Sequence, residues 1–75
     1  MKLDLHGMTI HGAWNLFSSR TTDAYYNGHK TIIVVTGQGS IMREFPSWAS
    51  NHPHVRSCTN TPHNPGSFRL SLKKG

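Results

Sequence analysis

Residues Asp4-Leu5-His6-Gly7 place an acid and a histidine two positions apart, followed at once by a glycine. Histidine titrates closest to neutral pH of all side chains, so it can take and return a proton. A nearby carboxylate can orient the imidazole and stabilise its charged form. Residues two apart on a strand point to one face, so Asp4 and His6 are displayed together if Leu5 is buried behind them. The plainer alternative is a histidine that closes a turn and an aspartate that caps one.

A second group is Thr36-Gly37-Gln38-Gly39. Gly37 and Gly39 let backbone come close to a phosphate, and a helix that follows supplies free N–H groups and the positive end of its dipole. Arg43, expected in the first turn of that helix, adds a charged fork of donors. A lone G-x-G is weak by itself, since a strand-to-helix turn also uses glycine for its dihedrals. Paired with Asp-x-His it gains weight.

A third group is His52, His54, Cys58 and His63. Their spacing is looser than the C-x-x-C or H-x₃₋₅-H pairings of zinc sites, and "NHPH" reads as a turn. No metal ligand set is assigned. His63 is expected on a closing loop beside the other two groups, as a phosphate contact or as a solvated loop residue.

The elements that must position these groups follow from periodicity. Lys2 to Leu5 alternates polar and apolar, as a short strand does. Thr9 can cap a helix over Ile10 to Tyr26, whose Ile10, Ala13, Trp14 and Phe17 recur at helical spacing. Ser18 to Asp23 is poor in helix formers, so packing must hold that part. Asn27-Gly28 is a C-terminal stop. "TIIVV" at Thr31 to Val35 reads as a strand buried on both faces. The next helix carries Ile41, Phe45, Trp48 and Ala49. Pro46 predicts an irregular start, regular only after Phe45. Asn51 and Pro53 end it. Val55 to Cys58 is a weaker strand, Asn60 to Ser67 a loop rich in Pro, Asn and Gly, and Phe68 to Leu72 a half-buried strand. The order β-α-β-α-β-β contains one βαβ unit with a right-handed crossover and parallel strands. Both polar motifs then sit at the carboxyl edge of the sheet, where ligands bind. Asp4, His6, Thr36, Gly37 and Gly39 are expected to share one shallow pocket. Trp14, Phe17, Phe45 and Trp48 are assigned to the core by their spacing. Of the adjacent Tyr25 and Tyr26, one is expected to be exposed.

The totals fit a single small domain spanning residues 1–75. Eight Lys and Arg face three acids, a formal charge of +5, which favours a polyanion as partner. The basic residues are scattered apart from Lys73-Lys74, which reads as solvated charge. Cys58 is alone, so there is no disulfide framework, and a reducing, cytoplasmic setting is expected. No signal peptide and no apolar run of membrane-spanning length is present.

At these motifs the chain resembles the Smr (small MutS-related) domain family over nearly its whole length. "LDLHG" resembles the family's LDxHG signature, and Gly28, "IIVV" and "TGQG" resemble its glycine, apolar strand and [HT]GxG motif. "IMREFPSW", "HPHV" and "PHNPGSFRLSL" resemble its second helix, the turn after it, and its closing loop and strand. The resemblance implies a two-layer α/β sandwich with a mixed four-stranded sheet, like the C-terminal domain of translation initiation factor three. It also implies a nucleic-acid endonuclease or binder. Some members are C-terminal parts of MutS paralogues that act on DNA, and others cut messenger RNA on stalled ribosomes. Asp4 and His6 fall on the catalytic positions, and Thr36, Gly37 and Gly39 on the second motif. Three departures stand out. Gln38 replaces a common Lys in that motif, the closing loop reads "NPGS" rather than GG-x-G, and the chain begins almost on the first motif, as an excised domain or a minimal form does.

Three acids are too few for the carboxylate cluster of a two-metal nuclease. RNA needs less, because its own 2′-hydroxyl can attack the phosphate. The reading is therefore an endonuclease that prefers RNA, with DNA nicking open, no resident cofactor unless a divalent metal joins, the ribosome as a candidate partner, and a monomer as the isolated domain. A nucleic-acid- or ribosome-binding module without activity is the alternative.

Overall fold

The computed structural model describes residues 1–61 and 64–74, and the side chains of all of these except 64 and 65. They form β1 (Lys2–Asp4), α1 (Ile10–Tyr26), β2 (Thr31–Val35), α2 (Ser40–Asn51), β3 (Val55–Thr61) and β4 (Asn64–Leu72). The strands make one mixed sheet in the order β1-β2-β4-β3. β1 and β2 are parallel, and the β2–β4 and β3–β4 pairs are antiparallel.

Local signals set the first helix. The Thr9 hydroxyl accepts the Gly12 N–H at 3.1 Å, capping α1 at its start. At the far end the His29 N–H donates to Ala24 O at 3.0 Å across the Asn27-Gly28 stop. The weak propensity of Ser18 to Asp23 is overridden by packing: Phe17, Thr21 and Ala24 face inward and are buried.

The core lies between the helices and one face of the sheet. Ile32 pairs with Leu70 and Val34 with Phe68 across β2 and β4, and all four are buried. They join Ala13 and Phe17 of α1 and Ile41, Phe45 and Ala49 of α2 in one cluster. The Phe45 ring sits 5.0 Å from Phe17 and 4.9 Å from Phe68, so one side chain ties both helices to the sheet.

Four expectations need correction. β2 is fully buried on one face only: Thr31, Ile33 and Val35 are half-buried, because the helices cover a single face of a two-layer fold. α2 is regular from Ser40 and carries Pro46 inside it. Burial of Ile41, Phe45 and Ala49 outweighs a proline penalty of about 3 kcal/mol. The segment read as a loop is largely strand, since β3 runs on to Thr61 and β4 begins at Asn64. Pairing of β4 with β2 stops at Ser67, and Asn64 at the start of β4 pairs with Thr61 of β3. Phe17 and Phe45 are core residues and Trp48 is half-buried, but Trp14 lies at the surface edge of this cluster, 37% exposed.

Candidate active site

β1 and β2 end together, with Asp4 beside Val35. The Leu5 N–H extends the pairing by donating to Val35 O at 2.7 Å. Leu5 is fully buried, so the chain is anchored one residue before His6. It then reverses: the Met8 N–H donates to Leu5 O at 3.3 Å around His6 and Gly7. Gly7 holds φ +77°, the third-residue geometry of a type II turn, which explains a glycine directly after the histidine.

Asp4 holds His6 twice. Its Oδ1 accepts the His6 backbone N–H at 3.0 Å and lies 2.5 Å from His6 Nδ1. Both side chains are open to solvent, His6 at 67% and Asp4 at 52%, so a large substrate can reach them. The hydrogen bond from the His6 ring is the main cause that holds the Asp4 carboxyl below its ordinary 3.8, followed by the His6 N–H; desolvation opposes them, and the charges of His6 and then Lys2 add to the lowering. With Nδ1–H given to the carboxylate, Nε2 is left as the basic nitrogen.

The second motif lies against this pair. A methyl group placed on Gly37 would stand 3.2 Å from His6 Cβ, so the two turns touch. β4 backs them from below. Gly66 O accepts the Thr36 N–H at 2.7 Å, the Gly37 N–H at 3.1 Å and the Thr36 hydroxyl at 3.1 Å. Gly66 must be glycine, because a Cβ there would meet Gly37 backbone at 2.9–3.0 Å. The buried Thr36 hydroxyl also lies 2.9 Å from Gly37 O. Thr36 and the Gly37 N–H therefore hold the loop together rather than facing outward.

Outward-facing donors come one step later. Gln38 and Gly39 are exposed, and α2 starts after Gly39 with no side-chain cap. The N–H groups of an uncapped first turn point out of the helix end. A shallow pocket of about 280 Å³ lies there, between Gly7 and Met8 on one side and Gln38, Gly39 and Ser40 on the other. Arg43 is exposed on the same turn, with its N–H bonded to Gly39 O at 3.2 Å. His63 lies outside the described residues.

The structure thus joins Asp4 to His6 and sets Gly37 against His6, places Gln38, Gly39 and Arg43 around the neighbouring helix start, and buries Thr36 beneath them. Sequence reasoning missed the part of Gly66, whose signal was a single glycine in the closing segment. Cys58 is half-buried, and burial pushes its thiol pKa up. Among the described residues no three His, Cys, Asp or Glu side chains gather closely enough to hold a metal ion. No helix among them is long and apolar enough to cross a membrane.

Comparison with known proteins adds three findings. A family model described as the Smr domain matches residues 3–68. The fold is similar to the Smr domain of Thermus thermophilus MutS2, with a TM-score of 0.88 at 19% identity over 96% of each chain. It is also similar to YdaL, a stand-alone small MutS-related protein from Escherichia coli, with a TM-score of 0.83 at 20% identity, covering 97% of this chain and 64% of YdaL. No curated protein matches the chain.

Proposed function

The chain belongs to the Smr domain family, and on that footing we propose that it is an endonuclease that cuts RNA, with His6 as its proton-transfer residue. The family is one of nucleic-acid binders and nucleases, and the charge of +5 suits such a partner. The observation that carries the reading is the solvent-open His6 Nδ1–Asp4 Oδ1 pair, set against Gly37 and the uncapped start of α2.

In this reading His6 Nε2 takes the proton of a ribose 2′-hydroxyl. The 2′-oxygen attacks the adjacent phosphorus, and the bond to the 5′-oxygen breaks. The 5′-oxygen takes a proton from water, giving a 2′,3′-cyclic phosphate and a 5′-hydroxyl end. Asp4 fixes the ring and stabilises the imidazolium. The first-turn N–H groups of α2 and the Arg43 guanidinium face the charge that develops on phosphate. RNA suits this site better than DNA, because the nucleophile is supplied by the substrate and the described residues gather no carboxylate cluster for metal ions. A cytoplasmic protein acting on ribosome-associated messenger RNA is part of this reading, supported by the single cysteine and the charge of +5.

The second reading is a binding module without activity. It is favoured by the commitment of the Thr36 and Gly37 N–H groups to Gly66 O, which removes two donors from the second motif. End-labelled single-stranded RNA and plasmid DNA, incubated with wild type or His6→Ala in EDTA or magnesium, separate the readings. RNA cutting in EDTA that vanishes in the variant supports the enzyme. Magnesium-dependent plasmid nicking moves the activity to DNA. Retention of both substrates uncut leaves the binding module.

A further inference from the structure

We propose that a second nucleic-acid site lies at the opposite edge of the sheet from Asp4 and His6: a basic groove that grips the backbone of a single-stranded nucleic acid. It rests on the proposed function only in taking nucleic acid as the partner.

The groove encloses about 450 Å³ and is lined by Lys30, Arg56, Lys73 and Lys74 around the ring of Tyr25. These are four of the eight Lys and Arg in the chain, and none of its three acids lines it. Lys30 precedes β2 and Lys73 follows β4, while Asp4 pairs with the last residue of β2. The five residues of β2 therefore separate the two sites by about 16 Å, at roughly 3.3 Å per residue. Cations scattered along the sequence converge only in the fold, where the exposed Lys73 and Lys74 form one wall of the groove.

The walls are fixed. The Leu72 N–H donates to Lys30 O, and the Lys73 N–H to His54 O, both at 2.9 Å. Arg56 is the extra residue of a β-bulge, since Val55 pairs with Leu72 but Ser57 pairs with Ser71. A bulge re-aims its side chain, and this one brings Arg56 to the groove. Tyr25 is stacked on His54 with ring centres 3.8 Å apart and planes 11° apart. Tyr26 stands beside them, 5.2 Å from the Tyr25 ring and 74% exposed. Clustered cations beside an exposed aromatic ring are what a single strand needs: charge for its phosphates and a platform for an unstacked base. Four cations in one groove beside the stacked Tyr25–His54 pair and the exposed Tyr26 favour a nucleic-acid strand; tyrosine also serves lipid surfaces, which the vesicle comparison tests.

The test is fluorescence anisotropy with a labelled oligouridine over a salt series. It compares wild type, the triple variant Arg56→Gln/Lys73→Gln/Lys74→Gln, Tyr26→Ala, and Arg20→Gln as a control for net charge. All the substituted residues are exposed, and circular dichroism melts confirm that each variant is folded. The double variant Lys73→Gln/Lys74→Gln replaces the triple if the bulge proves sensitive. Every phosphate that no longer meets a cation should lower the slope of log K against log salt by about 0.7, so the triple should drop by roughly 2 and Arg20→Gln by little. Tyr26→Ala should weaken binding on the order of tenfold. An unchanged slope in the triple overturns the proposal. So does an equal effect per charge from Arg20→Gln, or tighter binding to phosphatidylserine vesicles than to the oligonucleotide. Parallel cleavage assays keep the two readings apart: a failed groove leaves cutting intact, and a failed nuclease leaves the salt slopes readable.

Discussion

One carboxylate oxygen, Asp4 Oδ1, receives both the backbone N–H and the ring Nδ1 of His6. The first bond sets where the strand ends and the second sets how the imidazole is turned. Asp4 thus places His6 in two ways. Asp4→Asn keeps an oxygen acceptor for both bonds and removes only the charge. In this variant kcat for RNA cutting should fall by roughly tenfold or more while KM and the salt dependence of binding stay unchanged. Steady-state kinetics on a labelled RNA check it; a rise in KM with kcat intact would assign Asp4 to binding instead.

The second motif assigns Thr36 to phosphate, but its hydroxyl is buried against Gly66 O and Gly37 O. Thr36→Val should therefore cost about 0.5–1.5 kcal/mol of stability and leave RNA affinity near wild type. Denaturant melts and binding curves on one preparation measure both. Loss of affinity with unchanged stability would return Thr36 to the binding surface.

Gly66→Ala puts a methyl group 2.9–3.0 Å from Gly37 backbone. The strand must shift, at about 1–3 kcal/mol, and the loop against His6 shifts with it. Stability and cutting should fall together, seen as a lower Tm and a lower kcat. A variant with wild-type values of both would show that the close approach is not needed.

His52 is buried at the end of α2, its ring 5.5 Å from Phe17, with Nδ1 accepting the His54 N–H at 3.2 Å. Burial lowers its pKa from the ordinary 6.5; the Ser18 backbone hydrogen bond opposes this and the His54 charge adds to it. The unfolded chain then takes up this proton first as pH falls. The His52 contribution is complete above pH 6.5 and is lost as pH falls below that value. His52→Gln should be less stable at neutral pH by about 1–2 kcal/mol, and its Tm should fall less on acidification than that of wild type. Melts across the neutral-to-acid range decide; parallel curves would contradict the assignment.

Thr21 is fully buried, and its hydroxyl has no hydrogen-bond partner among the described residues. An unpaired buried hydroxyl costs about 1–3 kcal/mol. Thr21→Val, of similar shape, should raise Tm by roughly 4–8 °C for each kcal/mol recovered in a domain of this size. A lower Tm would mean that the hydroxyl is satisfied.

Much of this was legible in the sequence because local signals agreed with the fold. Thr9, the apolar spacing of α1 and Asn27-Gly28 give its two ends. Asp4 and His6 meet as expected, but His6 lies in the turn after β1 and is held by Asp4 Oδ1 rather than by strand alternation. What local composition hides is pairing between distant segments. The stretch from Asn60 to Ser67 looks like a loop, yet Thr61 and Asn64 pair with each other, and Gly66 O closes the second motif. Pro46 looks like a helix boundary until the burial of Phe45 between the two helices is known. The basic groove had no linear signature at all, because Lys30, Arg56 and Lys73 meet only when β2, β3 and β4 are paired.

If His6 drives attack by the 2′-hydroxyl of the substrate, the ends of the cut RNA record it. The most direct measurement is mass spectrometry of the ends left when wild-type protein cuts a defined single-stranded RNA in EDTA, with His6→Ala alongside. The expected ends are 2′,3′-cyclic phosphate and 5′-hydroxyl, with a loss of about 10²–10⁴-fold in rate in the variant. Products ending in a plain 3′-hydroxyl, or cutting that survives His6→Ala, would contradict that role of His6.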